Sequence, residues 1–358
     1  MNTSFLKPLL LAGVTLALFG QGCGTTSTGP TGPDMGVWKT VDGGVTWVNK
    51  KAYVSGPKVT AGTASLSVLS MDFDPQDRTA IYLGTAENGV VYSLDSGESW
   101  QQSKSLGSGK VNDVAVDPKE KCTVYAVSGN KIYKTVTCGR DWNQVFYNPR
   151  TDTAFTQVAI DWYNPLTIYA GTSDGDIYRS IDSGVSWQTS QRIDGNGITS
   201  LVVDPHDSRI VYAGTQSQGI AKTTDGGATW TQIKKEFGDQ YADGVRVLQV
   251  VPDPVTANVI YDVSRYGLLK STDGGATWTG LQLTSPPGTI KINALAIDPK
   301  NNQHMIFTGV STLQTTIDGG KTWTPKKLPT TQTGAKLLFD PIEPNTIYLG
   351  VIPAPSKN

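Results

Sequence analysis

Seven variants of one short phrase, Ser/Thr-x-Asp-x-Gly-x-Ser/Thr-Trp, recur along the chain, and their spacing narrows the possible folds more than any other feature. The copies end at Trp47, Trp100, Trp142, Trp187, Trp230, Trp278 and Trp323, at intervals of 53, 42, 45, 43, 48 and 45 residues. A period in the forties, rich in β-branched and aromatic residues and without a long helical pattern, predicts one four-stranded blade per repeat, arranged radially. A second phrase runs in step with the first. It reads hydrophobic-x-Asp-Pro, a polar stretch, then Ile/Val-Tyr-x-Gly-Thr, with aspartates at Asp74, Asp117, Asp161, Asp204, Asp253, Asp298 and Asp340. The matching aromatics are Tyr82, Tyr125, Tyr169, Tyr212, Tyr261, Phe307 and Tyr348. Each unit therefore reads as strand, Asp-Pro turn, Tyr strand, short loop, third strand, Asp/Gly turn and Trp strand.

The chain ends set the number of blades. The first Asp/Gly/Trp phrase, at 40–47, has no Asp-Pro/Tyr half before it, and the last such half, at 337–351, has no Asp/Gly/Trp phrase after it. Joined, they complete a seventh blade, with two inner strands from the C-terminal segment and two outer ones from 36–49. The expected fold is all-β: a single seven-bladed β-propeller of four-stranded antiparallel blades over 35–352, followed by a tail at 353–358. Pairing the terminal strands removes the open edges of a linear array.

The formal charge is −1, from 30 basic and 31 acidic residues. Removing 1–22 takes away only Lys7 and leaves 29 against 31, or −2. Nucleic acid, which calls for a basic excess, is not an expected partner. Residues 1–22 read as an export signal, with a short n-region to Lys7 and an apolar stretch, Pro8–Phe19, too short to span a bilayer well. The following Gly20-Gln21-Gly22-Cys23 resembles the lipobox of bacterial lipoproteins, although Gly20 stands where leucine is usual. The resemblance implies that Cys23 is lipidated, that 23–34 form a flexible tether, and that the protein is anchored in the bacterial cell envelope. An ordinary cleaved signal with an incidental cysteine is the alternative.

Two further cysteines are Cys122 and Cys138. A hairpin turning at Gly129-Asn130 pairs Ser128 with Lys131 and brings Cys122 level with Thr137, so that a bulge suffices to reach Cys138. This repeat has also lost its Asp, with Thr137 in that place and Asp141 in the Ser/Thr slot. A disulfide in an exported protein would replace the missing turn bonds. Two free buried thiols are the alternative.

The repeated phrase resembles the Asp-box, or bacterial neuraminidase repeat. In combination with the Asp-Pro/Tyr half it is similar to propellers of the sortilin type, of the photosystem II assembly/stability factor family and of xyloglucan-cleaving glycoside hydrolases. The resemblance covers 36–351 and implies the fold while leaving function open. An Asp followed by Gly-Gly or Ser-Gly makes a tight turn whose N–H groups the carboxylate accepts. Asp42, Asp95, Asp182, Asp225, Asp273 and Asp318 are accordingly read as structural, with calcium binding as the lesser alternative. No metal or cofactor is expected, and Trp38 and Trp162 are read as packing residues.

Functional residues are expected where the repeat is broken. If both kinds of Asp turn share one face, the opposite face carries the loops between second and third strands and the inter-blade connections. On it fall Arg150, Asp174, Asp176, Arg192, Asp239, Tyr241, Arg265 and Tyr266, a mixture suited to a protein or glycan surface. His206 and His304 follow Asp-Pro turns on the other face, which disfavours a histidine triad or zinc site. The Arg-Ile-Pro signature of sialidases is missing, and one propeller does not form the two-propeller cleft of the xyloglucan hydrolases. A carboxylate pair among Asp174, Asp176, Asp239 and Asp243 remains the enzymatic alternative. The reading is thus a non-catalytic propeller that binds a protein or scaffolds assembly, with a glycan-binding or glycan-cleaving propeller as the alternative.

Overall fold

The computed structural model describes residues 34–55, 58–60, 66–233, 237 and 239–355. The expected export signal, Cys23 and the expected tether, to residue 33, lie outside the described residues. Seven four-stranded antiparallel sheets form a ring. Blade 1 comprises Val68–Asp74, Asp77–Thr85, Val90–Ser93 and Gln101–Gln102. Blade 2 comprises Asp113–Val116, Val124–Ser128, Lys131–Thr135 and Asn143–Tyr147; blade 3, Phe155–Ile160, Ile168–Thr172, Asp176–Ser180 and Gln188–Arg192. Blade 4 runs through Ile198–Val203, Val211–Thr215, Ile220–Thr223 and Thr231–Ile233, and blade 5 through Val247–Pro252, Ile260–Ser264, Leu268–Ser271 and Thr279–Gly280. Blade 6 holds Ala294–Asp298, Asn301–Thr308, Thr312–Thr316 and Thr324–Lys327. Blade 7 joins both ends of the repeat region: Thr333–Phe339 and Ile347–Ile352 are inner, Gly36–Thr40 and Val48–Asn49 outer. Gly36–Thr40 pairs with Ile347–Val351 over five residues, which closes the ring.

The first strands of successive blades lie side by side around the axis. Their free backbone edges are capped by side chains of a neighbouring blade. Asp72 accepts from Val116 N at 3.1 Å, Asp113 from Val158 N at 3.0 Å and Ser200 from Val250 N at 3.1 Å. Gln249 both accepts from Leu295 N and donates to its carbonyl. A buried strand edge left unpaired would cost the desolvation of each group, so these caps let the sheets end at the axis.

The core is divided into seven wedges between blades rather than gathered in one mass. The wedge between blades 1 and 2, for example, holds Tyr82, Tyr92, Val114, Val124 and Trp142. All seven second-strand aromatics, Tyr82 to Tyr348, are buried. Several of their hydroxyls cross to the next blade's Asp turn: Tyr125 donates to Ser183 O at 2.8 Å, Tyr169 to Gly226 O at 2.9 Å and Tyr348 to Ser96 O at 2.9 Å. A lysine opposite the tyrosine on the third strand lies over its ring in four blades, at 5.1–5.5 Å: Lys39, Lys134, Lys222 and Lys270.

Within each blade the two turns of one face are tied by a backbone bond. Gly43, Ser96, Cys138, Ser183, Gly226, Gly274 and Gly319, each just after the Asp position, donate to Asn345, Thr79, Cys122, Leu166, Arg209, Asn258 and Gln303. The next residue is always glycine at positive φ. Gly227 shows why, with φ of 87° and a Cβ that would stand 3.0 Å from the Tyr169 ring.

In blade 2 a covalent bond reinforces this tie, for Cys122 and Cys138 form a disulfide. Closing a loop of this sequence separation, 16 residues, is worth about 3 kcal/mol against the unfolded chain. The expectation is that Cys122→Ala/Cys138→Ala loses stability of that order by denaturant unfolding. Mass spectrometry of the unreduced protein should find neither cysteine alkylated; two modified thiols would remove the bond from the account.

Candidate functional site

The antiparallel order puts both kinds of Asp turn on one face and the second-to-third-strand loops on the other. The Asp turns are saturated with internal bonds. Asp225 accepts from Thr223 Oγ1 at 2.8 Å, Thr229 N at 2.9 Å and Thr229 Oγ1 at 2.6 Å, while Thr223 Oγ1 accepts from Gly227 N at 2.9 Å. Asp42, Asp95, Asp182, Asp273 and Asp318 repeat the pattern. Hydroxyl and backbone donors from Ser186 and a hydroxyl from Ser180 hold the Asp182 carboxyl down at about 2. These carboxylates are occupied by their own turns. Among the described residues, no three His, Cys, Asp or Glu side chains are grouped to hold a metal ion.

On the loop face, blade 3 brings four of the predicted residues together. Asp176 opens the third strand, Arg192 ends the fourth opposite it, Arg150 lies in the connection from blade 2, and Asp174 sits in the loop before Asp176. Asp176 accepts from Arg150 Nη2 at 2.6 Å, Arg192 Nε at 2.8 Å and Arg192 Nη2 at 3.2 Å. Arg150 Nη2 also lies 2.7 Å from Asp174 Oδ2. The expectation of an exposed binding carboxylate at Asp176 is corrected. It is 1 % exposed and serves as the hub that orients two exposed guanidinium groups. Burial pushes the Asp174 pKa up, but hydroxyl bonds from Thr172 and Thr153 and the charge of Arg150 more than reverse this, so the carboxyl ends below its ordinary value. A carboxylate held in this way is poorly suited to act as a general acid at neutral pH.

Blade 5 holds a second group. The insertion before it folds back as a 3-10 turn, Asp239–Val245, which the sequence reading took for loop. Tyr241 is a second correction: it is buried, accepts from Gly280 N at 3.1 Å and meets Tyr266 edge-on at 5.0 Å. The cause is hydrophobic, because Phe237 and Tyr241 fill the wedge between blades 4 and 5 with Ile233, Leu269 and Trp278. Tyr266 stays half-buried and Arg265 exposed. Beside them opens a cleft of about 640 Å³. Arg246, Arg265, Lys291 and Asp243 line it, with Arg246 Nε 3.9 Å from Asp243 Oδ1, and Leu248 and Ile290 supply apolar wall. Asp243 lies in this cleft, in a different blade from Asp174 and Asp176, so these three do not form one carboxylate pair.

The other face carries His206, with Nε2 3.0 Å from Asp253 O, and His304, with Nδ1 3.2 Å from Asp298 Oδ2. Trp162 departs from its reading as a packing residue: it is 38 % exposed, and Nε1 donates to Asp204 O at 2.8 Å. Its blade has Trp-Tyr-Asn before the late Pro165, which lifts Trp162 and Tyr163 out of the wedge.

Three buried or half-buried carboxyls escaped the sequence reading. Asp72 and Asp113, on the inner strands, are pushed up to about 7 and about 6 by loss of solvent. Asp262 is fully buried, and among the described residues neither carboxyl oxygen has a hydrogen-bond partner. Burial raises its pKa well above the ordinary value, only partly offset by the nearby Ser264 hydroxyl. The signal for Asp262 was present, since the equivalent residues are Leu83, Ala126, Ala170, Ala213, Thr308 and Leu349.

No family model matches the chain. A xyloglucanase of Hypocrea jecorina (strain QM6a) is 29% identical over 169 residues, 46% of this chain and 19% of that protein. The match thus spans about a fifth of the curated relative's length. Among solved structures, YCF48 bound to D1 peptide has a TM-score of 0.62 at 18% identity, over 80% of this chain and 94% of that one. The GH74 xyloglucanase from Xanthomonas campestris has a TM-score of 0.61 at 17% identity, over 80% of this chain and 51% of that one. At these identities the structural likenesses establish the fold and nothing finer.

Three substitutions separate the roles of these groups. Asp176→Ala leaves two guanidinium groups without their shared acceptor and should cost about 1–3 kcal/mol, whereas Arg192→Ala, at an exposed partner, should cost clearly less. Asp262 ionises in the unfolded chain above about pH 3.9 but stays neutral in the fold, so its burden on stability grows as pH rises above that value. Asp262→Leu, of similar branching, should therefore stabilise the protein by about 1–3 kcal/mol at pH 7, with the gain shrinking toward pH 4. Urea unfolding at both pH values checks this; an equal gain at each would mean that Asp262 is not held neutral.

Proposed function

We propose that this protein is a non-catalytic scaffold that holds a segment of another protein on its loop face, and that it is exported and tethered to a membrane through lipid on Cys23. The observation that carries the reading is the blade 5–6 cleft, where Arg246, Arg265 and Lys291 outnumber Asp243 above apolar wall from Leu248 and Ile290. Arginine combines apolar area with directed donors, which makes it a frequent anchor at protein interfaces. The cleft suits an extended segment with an acidic side chain next to an apolar one. The fold shared with YCF48, a protein solved with a D1 peptide bound, supports a propeller of this size as a peptide receptor. The enzymatic alternative needs two carboxyls free to adopt different protonation states. Asp174 and Asp176 instead share Arg150.

A peptide-display selection against the purified propeller tests the binding half. Enriched peptides should pair Asp or Glu with an apolar residue and lose about tenfold or more in affinity, as hot-spot truncations do, when Arg246 and Arg265 are both changed to Glu. His206→Ala on the opposite face should leave them unaffected. No enrichment, or a loss that follows His206, would overturn the reading. The tether is tested separately by mass spectrometry of protein from bacterial membranes, where Cys23 should carry acyl chains and Cys23→Ser should release the protein.

A further inference from the structure

The blade 2 turn differs from the other six in what its side chains are free to do. Elsewhere the Asp carboxylate takes the hydroxyl of the last Ser/Thr, as Thr46 Oγ1 donates to Asp42 at 2.6 Å and Ser186 Oγ to Asp182 at 2.6 Å. In blade 2 Thr137 replaces that Asp and its hydroxyl accepts from Asp141 N at 3.0 Å. The Asp141 carboxylate makes no hydrogen bond or ion pair among the described residues. The turn is held instead by the Cys122–Cys138 bond and by Arg140, whose Nε donates to Thr137 O at 2.9 Å. The terminal nitrogens of Arg140 are left uncommitted among the described residues.

Both side chains border a groove of about 780 Å³ at the outer rim between blades 1 and 2. The groove arises because the fourth strand of blade 1 has only two residues, Gln101–Gln102, before the chain bows out through 103–108. Its other wall includes Tyr53, Tyr92, Gln101 and Lys104. Tyr92 donates to Gln101 Oε1 at 3.2 Å, and among the described residues the Gln101 amide NH2 makes no hydrogen bond. Tyr53 is fixed by a 2.8 Å bond to Gln102 Oε1 and offers ring surface at the groove.

We infer that this rim groove is a binding site for a neutral saccharide, created where the second blade traded its turn aspartate for a disulfide. A sugar hydroxyl donates and accepts at once, so it needs acceptors and donors side by side. Asp141 supplies the acceptor, and Arg140, Lys104 and the Gln101 amide supply donors. Lys104 and Arg140 against Asp141 leave the groove a net charge of only +1, short of the cluster of cations that a phosphorylated or polyacidic ligand would need. Val54 is its only aliphatic side chain among the described residues, which does not suit a lipid. The volume lies within the range of small-ligand clefts. This site lies apart from the loop face and does not depend on the protein-binding proposal.

The test is a glycan array that carries neutral and acidic oligosaccharides, followed by calorimetric titration of cellotetraose, maltotetraose, mannotetraose and chitotetraose. At least one neutral class should bind. Asp141→Asn and Arg140→Ala should each weaken it by about tenfold, the effect of losing one hydrogen bond to a charged group. Both residues are exposed, so the melting temperature should not move, and Arg246→Glu/Arg265→Glu should leave sugar binding unchanged. Absence of binding by every neutral glycan, binding of acidic glycans alone, binding that survives the double change at 140 and 141, or displacement of the sugar by the loop-face peptides would each overturn the assignment.

Discussion

The burial of one second-strand aromatic per blade, Tyr82 to Tyr348, in the wedges between blades is the constraint on which the ring depends. Tyr125, Tyr169 and Tyr348 each deliver a hydroxyl to a turn carbonyl across a blade boundary. That carbonyl is in place because the turn is already rigid, locked by the Asp carboxylate, by glycine at positive φ and by a backbone bond to the Asp-Pro turn of its own blade. Local turn chemistry thereby becomes inter-blade registration. A wedge core of apolar side chains is non-directional; at these three boundaries the tyrosine hydroxyl adds a direction that fixes one blade against the next.

The same economy explains why departures from the repeat are informative. A turn whose carboxylate is satisfied internally has little left to offer a ligand, and six of the seven are in that state. Blade 2 achieves the same rigidity with a disulfide and releases Arg140 and Asp141. Blade 3 places a buried carboxylate, Asp176, beneath two arginines, and blade 5 covers its wedge with an inserted 3-10 turn that leaves Arg265 and Tyr266 at the edge of a cleft. In each case the repeat supplies a stiff frame, and one altered unit supplies the chemistry.

Legibility in the sequence followed the range of the interactions. The hydrogen bonds of Asp225 or Asp273 close within four residues, so their structural role could be read from the phrase alone. The positions of Arg150, Asp174, Asp176 and Arg192 on one face followed from strand alternation. Their mutual pairing did not, because Arg150 reaches Asp176 across 26 residues and a change of blade. Tyr241 looked like a surface residue in a polar insertion, yet Phe237 beside it and the open wedge between blades 4 and 5 draw it inward. The hairpin of Tyr53–Ser55 with Lys58–Thr60, which runs along the edge of blade 1 at Trp100, left no repeat signal at all.

The sequence by itself determined the blade count, the strand order within each blade and the closure of the ring through its own ends, because a periodic pattern of turns and alternating strands admits no other arrangement that buries the second-strand aromatic of every blade. Only the tertiary structure decided which polar residues face solvent and which face one another. That choice turns on distances between residues in neighbouring blades, and on the cost of leaving a carboxylate such as Asp176 or Asp262 without water. Neither quantity is encoded in the spacing of residues along the chain.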